Sequence, residues 1–111
     1  MEITQTRQGA VTVLKPTGPL VASDAEQFLR EAREAATRSL GRLVIDVSAV
    51  PYVDSAGLES LLDVTRSISE GGRSLRLCAA GETLREVLDV TGLSERFEQY
   101  EDVHAAVRSF L

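Results

Sequence analysis

Apolar residues along this chain follow two different periods, and the two alternate. Val11–Leu14 is rich in β-branched residues, Leu43–Val47 is almost continuously apolar, and Leu75–Cys78 is a third apolar run. Short runs of this kind are typical of strands, and a continuous apolar run suits a parallel strand that is covered on both faces. The pattern therefore predicts three main strands.

Two weaker strand candidates lie outside these runs. Ile3–Thr6 is predicted to pair with the first main strand through a turn at Gly9, and Phe97–Tyr100 is predicted to be a short extended piece. Pro16 is expected to interrupt regular strand pairing after Leu14, because proline has no backbone N–H to donate.

Four other stretches have apolar residues at helical spacing, which gives each helix one apolar stripe. The stripes are Ala25, Phe28, Leu29, Ala32 and Ala36; Leu58, Leu61, Leu62, Thr65 and Ile68; Leu84, Val87 and Leu88; and Val103, Ala106, Val107 and Phe110. Ser23 and Glu26 have the spacing of a capping box for the first helix. The other predicted helix ends are Gly41, Gly71-Gly72, the left-handed C-cap Thr91-Gly92-Leu93, and an N-cap at Asp102.

The alternation of strands and helices predicts the fold class. Repeated strand-helix-strand units connect parallel strands through right-handed crossovers. We expect an α/β fold with a mostly parallel central sheet of about four to five strands and about four helices. With 111 residues, the chain has the length of one domain, spanning 1–111.

Composition and charge argue against several classes of function. The net charge is −5 and no stretch concentrates Lys and Arg, which disfavours direct nucleic-acid binding. No apolar run approaches the ~20 residues of a membrane span. The first residues, Met1–Gln5, lack the features of a signal peptide, so we expect a cytoplasmic protein.

The chain has few residues suited to metal or redox chemistry. It contains one cysteine, Cys78, and one histidine, His104, whereas zinc sites usually need three or four ligands. Cys78 lies in an apolar run and is interpreted as a buried strand residue rather than a reactive thiol. We expect no metal and no cofactor.

The most informative segment is the turn from the strand ending at Asp46 to the second predicted helix. Asp54 and Ser55 are both good N-cap residues, and one interpretation is that they only cap this helix. Capping needs one such residue, however, and Gly57 so early in a helix costs ~1 kcal/mol relative to alanine. We expect Gly57 to leave a bare surface that another molecule can approach, and the turn to dock another protein.

This segment resembles the signature of STAS domains, in particular bacterial anti-sigma factor antagonists. The resemblance rests on Asp46-Val47-Ser48 followed by Tyr52-Val53-Asp54-Ser55-Ala56-Gly57-Leu58, on Thr17-Gly18-Pro19-Leu20 before the first helix, and on the third helix with its ending Thr91-Gly92-Leu93. It covers essentially the whole chain. Asp-Ser-x-Gly-Leu is a strong signal in this combined context and a weak one alone.

The resemblance implies a function and the residues that perform it. In such proteins the serine at the position of Ser55 is phosphorylated by an anti-sigma factor that is itself a serine kinase. The unphosphorylated form binds that kinase and releases a sigma factor, and a phosphatase restores it. The implied protein is not an enzyme, and it is a monomer or a weak dimer. The implied partner-binding residues are Asp54, Ser55, Ala56, Gly57, Gly18, Leu20 and Asp46.

One departure from the family concerns Ala56, where many members have a second Ser or Thr. Ser55 is therefore the only hydroxyl at the motif. Ser48 and Ser60 lie off the motif and are interpreted as ordinary surface or turn residues.

Other classes fit the sequence less well. A serine hydrolase needs Gly-x-Ser-x-Gly, but Val53 occupies the first glycine position and His104 is the only possible histidine base. A receiver domain needs an acidic pair after its first strand, which here runs into Lys15 and Pro16, and no P-loop is present. Within the STAS fold, a module without a switch stays open: a stressosome scaffold, an accessory subunit of a lipid-transport ATPase, or a sensor of a small ligand or nucleotide.

Overall fold

A computed structural model describes residues 1–69 and 75–111. These residues form five strands and four α-helices, as the sequence predicts, and one short 3-10 turn that it does not predict. In chain order they are β1 (Glu2–Gln8), β2 (Val11–Thr17), α1 (Ala22–Arg38), β3 (Leu43–Asp46), α2 (Ser55–Ser69), β4 (Leu75–Cys78), α3 (Glu82–Val90), the 3-10 turn (Ser94–Arg96), β5 (Phe97–Tyr100) and α4 (Val103–Arg108).

The strands form one sheet in the order β1-β2-β3-β4-β5. β1 and β2 form an antiparallel hairpin around Gly9, whose φ of +63° is in the left-handed region that favours glycine. The other pairs are parallel, with Leu14 opposite Ile45 and Ile45 opposite Leu77. The predicted α/β class with a mostly parallel sheet is confirmed.

Helices cover both faces of the sheet, because successive side chains of each strand point to opposite sides. Ile45 and its neighbours pack with buried residues of α1, α2 and α3, including Phe28, Leu61 and Leu88. Val44, one residue earlier, packs in a second cluster beneath α4. Three helices therefore bury one face, and α4 covers the other.

β2 is longer than the sequence predicts. Pro16 lies inside the strand and pairs with Ile3 of the antiparallel neighbour. The parallel ladder to β3 ends at the Leu14–Ile45 pair. The expectation that proline interrupts pairing is therefore wrong for the β1 side of the strand and holds for the β3 side.

The predicted helix ends had mixed outcomes. Asp102 caps α4 by accepting a hydrogen bond from the Ala105 N–H at 2.8 Å, and Gly92 has the left-handed φ of +74° predicted after α3. The capping box is wrong: α1 begins at Ala22 and has no side-chain cap within its own segment, so Ser23 lies inside the first turn. The predicted end of α2 at Gly71-Gly72 lies outside the described residues.

The loop after α1 contains two consecutive left-handed residues. Leu40 has φ +55° and Gly41 has φ +83°, and the Gly41 N–H donates to the carbonyl of Ala36 at 2.8 Å. Gly41 thus helps to close α1, as predicted, although the helix itself ends at Arg38. Leu40 is unusual, because it is a left-handed leucine with 77% of its surface exposed.

Cys78 is fully buried beneath α4. Burial, with smaller contributions from the negative charges of Asp46 and Asp102, raises the pKa of its thiol to about 12. The interpretation of Cys78 as an inert core residue is confirmed. None of the helices in the described part of the chain is long and apolar enough to cross a bilayer.

Candidate functional site

The candidate site begins where β3 ends. Asp46 is only 8% exposed, and its Oδ1 accepts a hydrogen bond from the Ser48 N–H at 3.0 Å. The Val47 N–H donates to the Cys78 carbonyl of the adjacent strand at 3.1 Å. Asp46 therefore organises the turn from inside, and its predicted role in partner binding stays a prediction that its burial does not favour.

The segment before α1 lies directly against the segment before α2. The Leu20 N–H donates to the Tyr52 carbonyl at 3.1 Å, and the Asp54 N–H donates back to the Leu20 carbonyl at 3.2 Å. Gly18, with φ +106°, donates its N–H to the Ala49 carbonyl at 2.9 Å. The two motif segments that the sequence singles out are thus brought together as one short parallel bridge.

Gly57 is required by this close approach. A Cβ atom at Gly57 would lie 2.0 Å from the carbonyl oxygen of Leu20, far inside van der Waals contact. Gly57 is buried, and the expectation that it leaves a bare surface for a partner is wrong. Leu20 is itself only 1% exposed. Both residues build the site from beneath, and direct contact of either with a partner stays untested.

The carboxylate of Asp54 joins the N-termini of two helices. Its Oδ1 accepts the Gly57 N–H of α2 at 2.8 Å, and its Oδ2 accepts the Ala22 N–H of α1 at 2.9 Å. These hydrogen bonds, that of Gly57 first, lower the pKa of the Asp54 carboxyl because they stabilise its charged form. Asp54 thus caps its own helix and supplies the cap that α1 lacks locally.

Ser55 has a different environment from Asp54. It is the first residue of α2 and is exposed, and within the described residues its hydroxyl forms no hydrogen bond. Ala56 beside it is half-buried. The interpretation that both residues merely cap the helix therefore applies to Asp54 alone, because Ser55 contributes no cap.

The two other serines near the motif differ from each other. Ser48 is exposed in the turn, as expected. Ser60 is only 4% exposed, and its hydroxyl donates to the Gly57 carbonyl at 2.6 Å. The interpretation of Ser60 as a surface residue is wrong, because a helix position five residues after Ser55 turns towards the core.

Tyr52 belongs to the motif but is not among the predicted partner-binding residues. Its side chain is 51% exposed, three residues before Ser55, although tyrosine usually buries most of its apolar surface. Exposed tyrosines often anchor protein interfaces. The sequence does show an aromatic residue next to Pro51 in a turn. That pattern does not reveal whether the side chain of Tyr52 is exposed.

The arrangement presents an exposed hydroxyl, and in residues 1–69 and 75–111 no side chain forms a hydrogen bond with it. The only histidine of the chain, His104, is exposed on α4, the helix that covers the opposite face of the sheet. The Asp54 carboxylate is already engaged by two backbone N–H groups.

Comparison with known proteins agrees with this architecture. The family model described as the STAS domain matches residues 2–106. BtrV of Bordetella bronchiseptica, named as a candidate anti-sigma factor antagonist, is 26% identical over 110 residues, which cover 99% of this chain and 95% of BtrV.

Solved structures share the fold at lower identity. The unphosphorylated anti-sigma factor antagonist SpoIIAA superposes with a TM-score of 0.76 at 18% identity, covering 98% of this chain and 96% of that one. A sulfate transporter family protein from Wolinella succinogenes superposes with a TM-score of 0.74, also at 18% identity, covering 94% of this chain and 87% of that one. The same fold therefore occurs in proteins with different functions.

Proposed function

Because the chain belongs to the STAS domain family, we propose that it is an anti-sigma factor antagonist whose binding is switched off by phosphorylation of Ser55. The unphosphorylated protein binds a kinase-type anti-sigma factor and thereby releases a sigma factor. The observation that carries this proposal is the exposed Ser55 hydroxyl, which forms no hydrogen bond within the described chain and so does not cap α2. The name of BtrV supports the same role.

The position of Ser55 makes a phosphate compatible with the fold. A phosphoserine adds nearly two negative charges at pH 7, and the N-terminus of a helix stabilises an anion. Ser55 is exposed at the first position of α2, so the added group can remain in solvent. Phosphorylation should leave the sheet and its helices intact.

The same phosphate is unfavourable in an interface. It would stand next to the Asp54 carboxylate, which its hydrogen bonds to Gly57 and Ala22 keep ionised. Packing two like charges against a partner costs several kcal/mol, enough to weaken affinity by roughly 100-fold. The switch therefore acts on docking and not on folding.

Phosphorylation by the cognate kinase in vitro tests the proposal. After incubation with the kinase-type anti-sigma factor and ATP, mass spectrometry should find one phosphate, on Ser55, and none in Ser55→Ala. Ser48→Ala is the matched control, because Ser48 is an exposed serine in the preceding turn, and it should be phosphorylated like the parent. Phosphate retained in Ser55→Ala would refute the assignment to Ser55, and a parent that takes up no phosphate would favour a STAS module without this switch.

A further inference from the structure

A second surface lies at the end of the sheet opposite to Ser55. Ser55 follows the carboxyl end of β3, whereas this surface surrounds the amino ends of β2 and β3. It is a depression of about 260 Å³ between the β1-β2 hairpin and the end of α1. We call it the arginine groove and define it by Gln5, Arg7, Thr12, Arg38, Leu40 and Arg42.

Backbone pairing brings the three arginines of the groove together. Arg7 lies opposite Thr12 in the hairpin, and the Thr12 N–H donates to the Arg42 carbonyl at 2.9 Å. Arg38 reaches across from α1 and donates from Nη2 to Oε1 of Gln5 on β1 at 3.0 Å. Residues from three separate parts of the chain thus converge on one depression.

The charge of the groove contrasts with that of the chain. The net charge is −5, yet none of the residues that line the groove is acidic. In residues 1–69 and 75–111, no carboxylate forms an ion pair with Arg7, Arg38 or Arg42. Arg38 lies in the last turn of α1, where the helix dipole stabilises a positive charge. Arg7 and Arg42 lie outside any helix, so the dipole does not explain them.

Leu40 adds an apolar element at the rim of the groove. It adopts φ +55°, which is unfavourable for leucine, and 77% of its surface is exposed. A glycine would suit this backbone better, and a side chain so exposed contributes little to the core.

We propose that the arginine groove binds an acidic segment of a partner protein, with an apolar side chain of that segment resting against Leu40. Guanidinium groups that have no carboxylate partner in the described chain match carboxylates in both charge and geometry. No aromatic residue lines the groove, so it lacks the surface on which nucleic-acid bases usually stack. The groove and Ser55 lie at opposite ends of the sheet, so both surfaces can be occupied at once.

The test uses the full chain and a defined probe. A fluorescein-labelled peptide of sequence Glu-Glu-Leu-Glu-Glu is titrated by fluorescence anisotropy at low salt, and its site is mapped by NMR amide shifts. We expect shifts concentrated at Arg7, Thr12 and residues 38–42. Combined Arg7→Gln, Arg38→Gln and Arg42→Gln should weaken binding at least about tenfold.

Matched variants separate the groove from general charge effects. Combined Arg30→Gln, Arg85→Gln and Arg108→Gln changes the net charge equally at exposed positions outside the groove, and should weaken binding less than about twofold. Leu40→Gly suits the left-handed backbone, so the fold should persist. Leu40→Gly should weaken binding of the peptide that contains leucine, but not binding of a peptide in which alanine replaces that leucine.

Several results would overturn the proposal. These are the absence of peptide binding, an equal loss of affinity in the two triple variants, or an unchanged affinity of Leu40→Gly for the leucine peptide. Displacement of the peptide by an equal concentration of inorganic phosphate would indicate a small-anion site instead. Tighter binding of a short thymidine oligonucleotide would indicate nucleic acid. Self-association of the parent that the groove variant abolishes, measured by sedimentation, would indicate a second copy of the chain.

Discussion

At the scale of single residues, Asp54 and Ser55 have different roles: Asp54 caps helices, and Ser55 presents a hydroxyl group at the surface. Both are good N-cap residues. The Asp54 carboxylate accepts hydrogen bonds from the N–H groups of Gly57 and Ala22. The Ser55 hydroxyl forms no hydrogen bond in the described chain. A serine that is not needed for structure is available to carry a signal.

Gly57 yields a prediction about stability. Gly57→Ala places a methyl group 2.0 Å from the Leu20 carbonyl oxygen, so the two segments must separate. We expect a loss of about 1–3 kcal/mol in the free energy of unfolding, measured by urea denaturation. Gly81→Ala is the control, because a Cβ there meets no atom within 4 Å. A Gly57→Ala variant as stable as the parent would show that the approach is not tight.

Residues of the site show what local sequence reasoning can detect. The pattern marked the segments around Gly18 and Asp54 as turns between apolar runs, and the structure brings these two segments together. It misjudged Gly57 and Ser60, because their burial depends on the Leu20 segment, which is distant in sequence. Tyr52 was missed for a related reason, since exposure is a property of the folded surface.

At the scale of elements, hydrophobic periodicity predicted the four α-helices and the three main strands of the described chain, and tertiary contacts set several of their ends. The N-terminus of α1 is capped by Asp54, which is 32 residues from Ala22, and not by Ser23 nearby. β2 extends through Pro16 because its antiparallel partner continues where its parallel partner has ended. Such ends are fixed by neighbours that local patterns do not contain.

The link between α1 and α2 predicts a dependence of stability on pH. The pKa of Asp54 is lowered by its hydrogen bonds to the N–H groups of Gly57 and Ala22, so its charged form stabilises the folded state. That contribution is complete above the unfolded pKa of about 3.9 and is lost as pH falls through the lower folded value. Asp54→Asn should lower the melting temperature at neutral pH, and its difference from the parent should shrink below pH about 4.

Thermal unfolding followed by circular dichroism across this pH range provides the measurement. Glu34→Gln removes one exposed carboxylate near the carboxyl end of α1, away from Asp54, and serves as the control for net charge. A difference between Asp54→Asn and the parent that stays constant down to acidic pH would contradict the role given to the carboxylate.

At the scale of the whole molecule, the sheet separates two surfaces. The Ser55 surface lies beyond the carboxyl end of β3, and the arginine groove lies at the amino ends of β2 and β3. None of the described residues that line the arginine groove belongs to the segment around Ser55, so effects of substitutions at the two surfaces should be additive.

Ser55→Asp tests this separation. The added charge should weaken binding to the kinase-type anti-sigma factor by at least about tenfold, measured by calorimetry, while the melting temperature stays near that of the parent. Binding of the acidic peptide to the arginine groove should not change. Gln8→Glu adds one charge at an exposed position on the opposite end and should leave kinase binding intact. Normal kinase binding by Ser55→Asp would contradict the docking model.

The close approach of Leu20 to Gly57 has a consequence for quality control in the cell. The surface around Ser55 exists only when the segment before α1 has joined the segment before α2, which a newly made or damaged chain has not achieved. A kinase that recognises this joined surface would ignore misfolded copies. We expect misfolded copies neither to bind the anti-sigma factor nor to be phosphorylated at the expense of ATP. Phosphorylation would then report only on folded molecules.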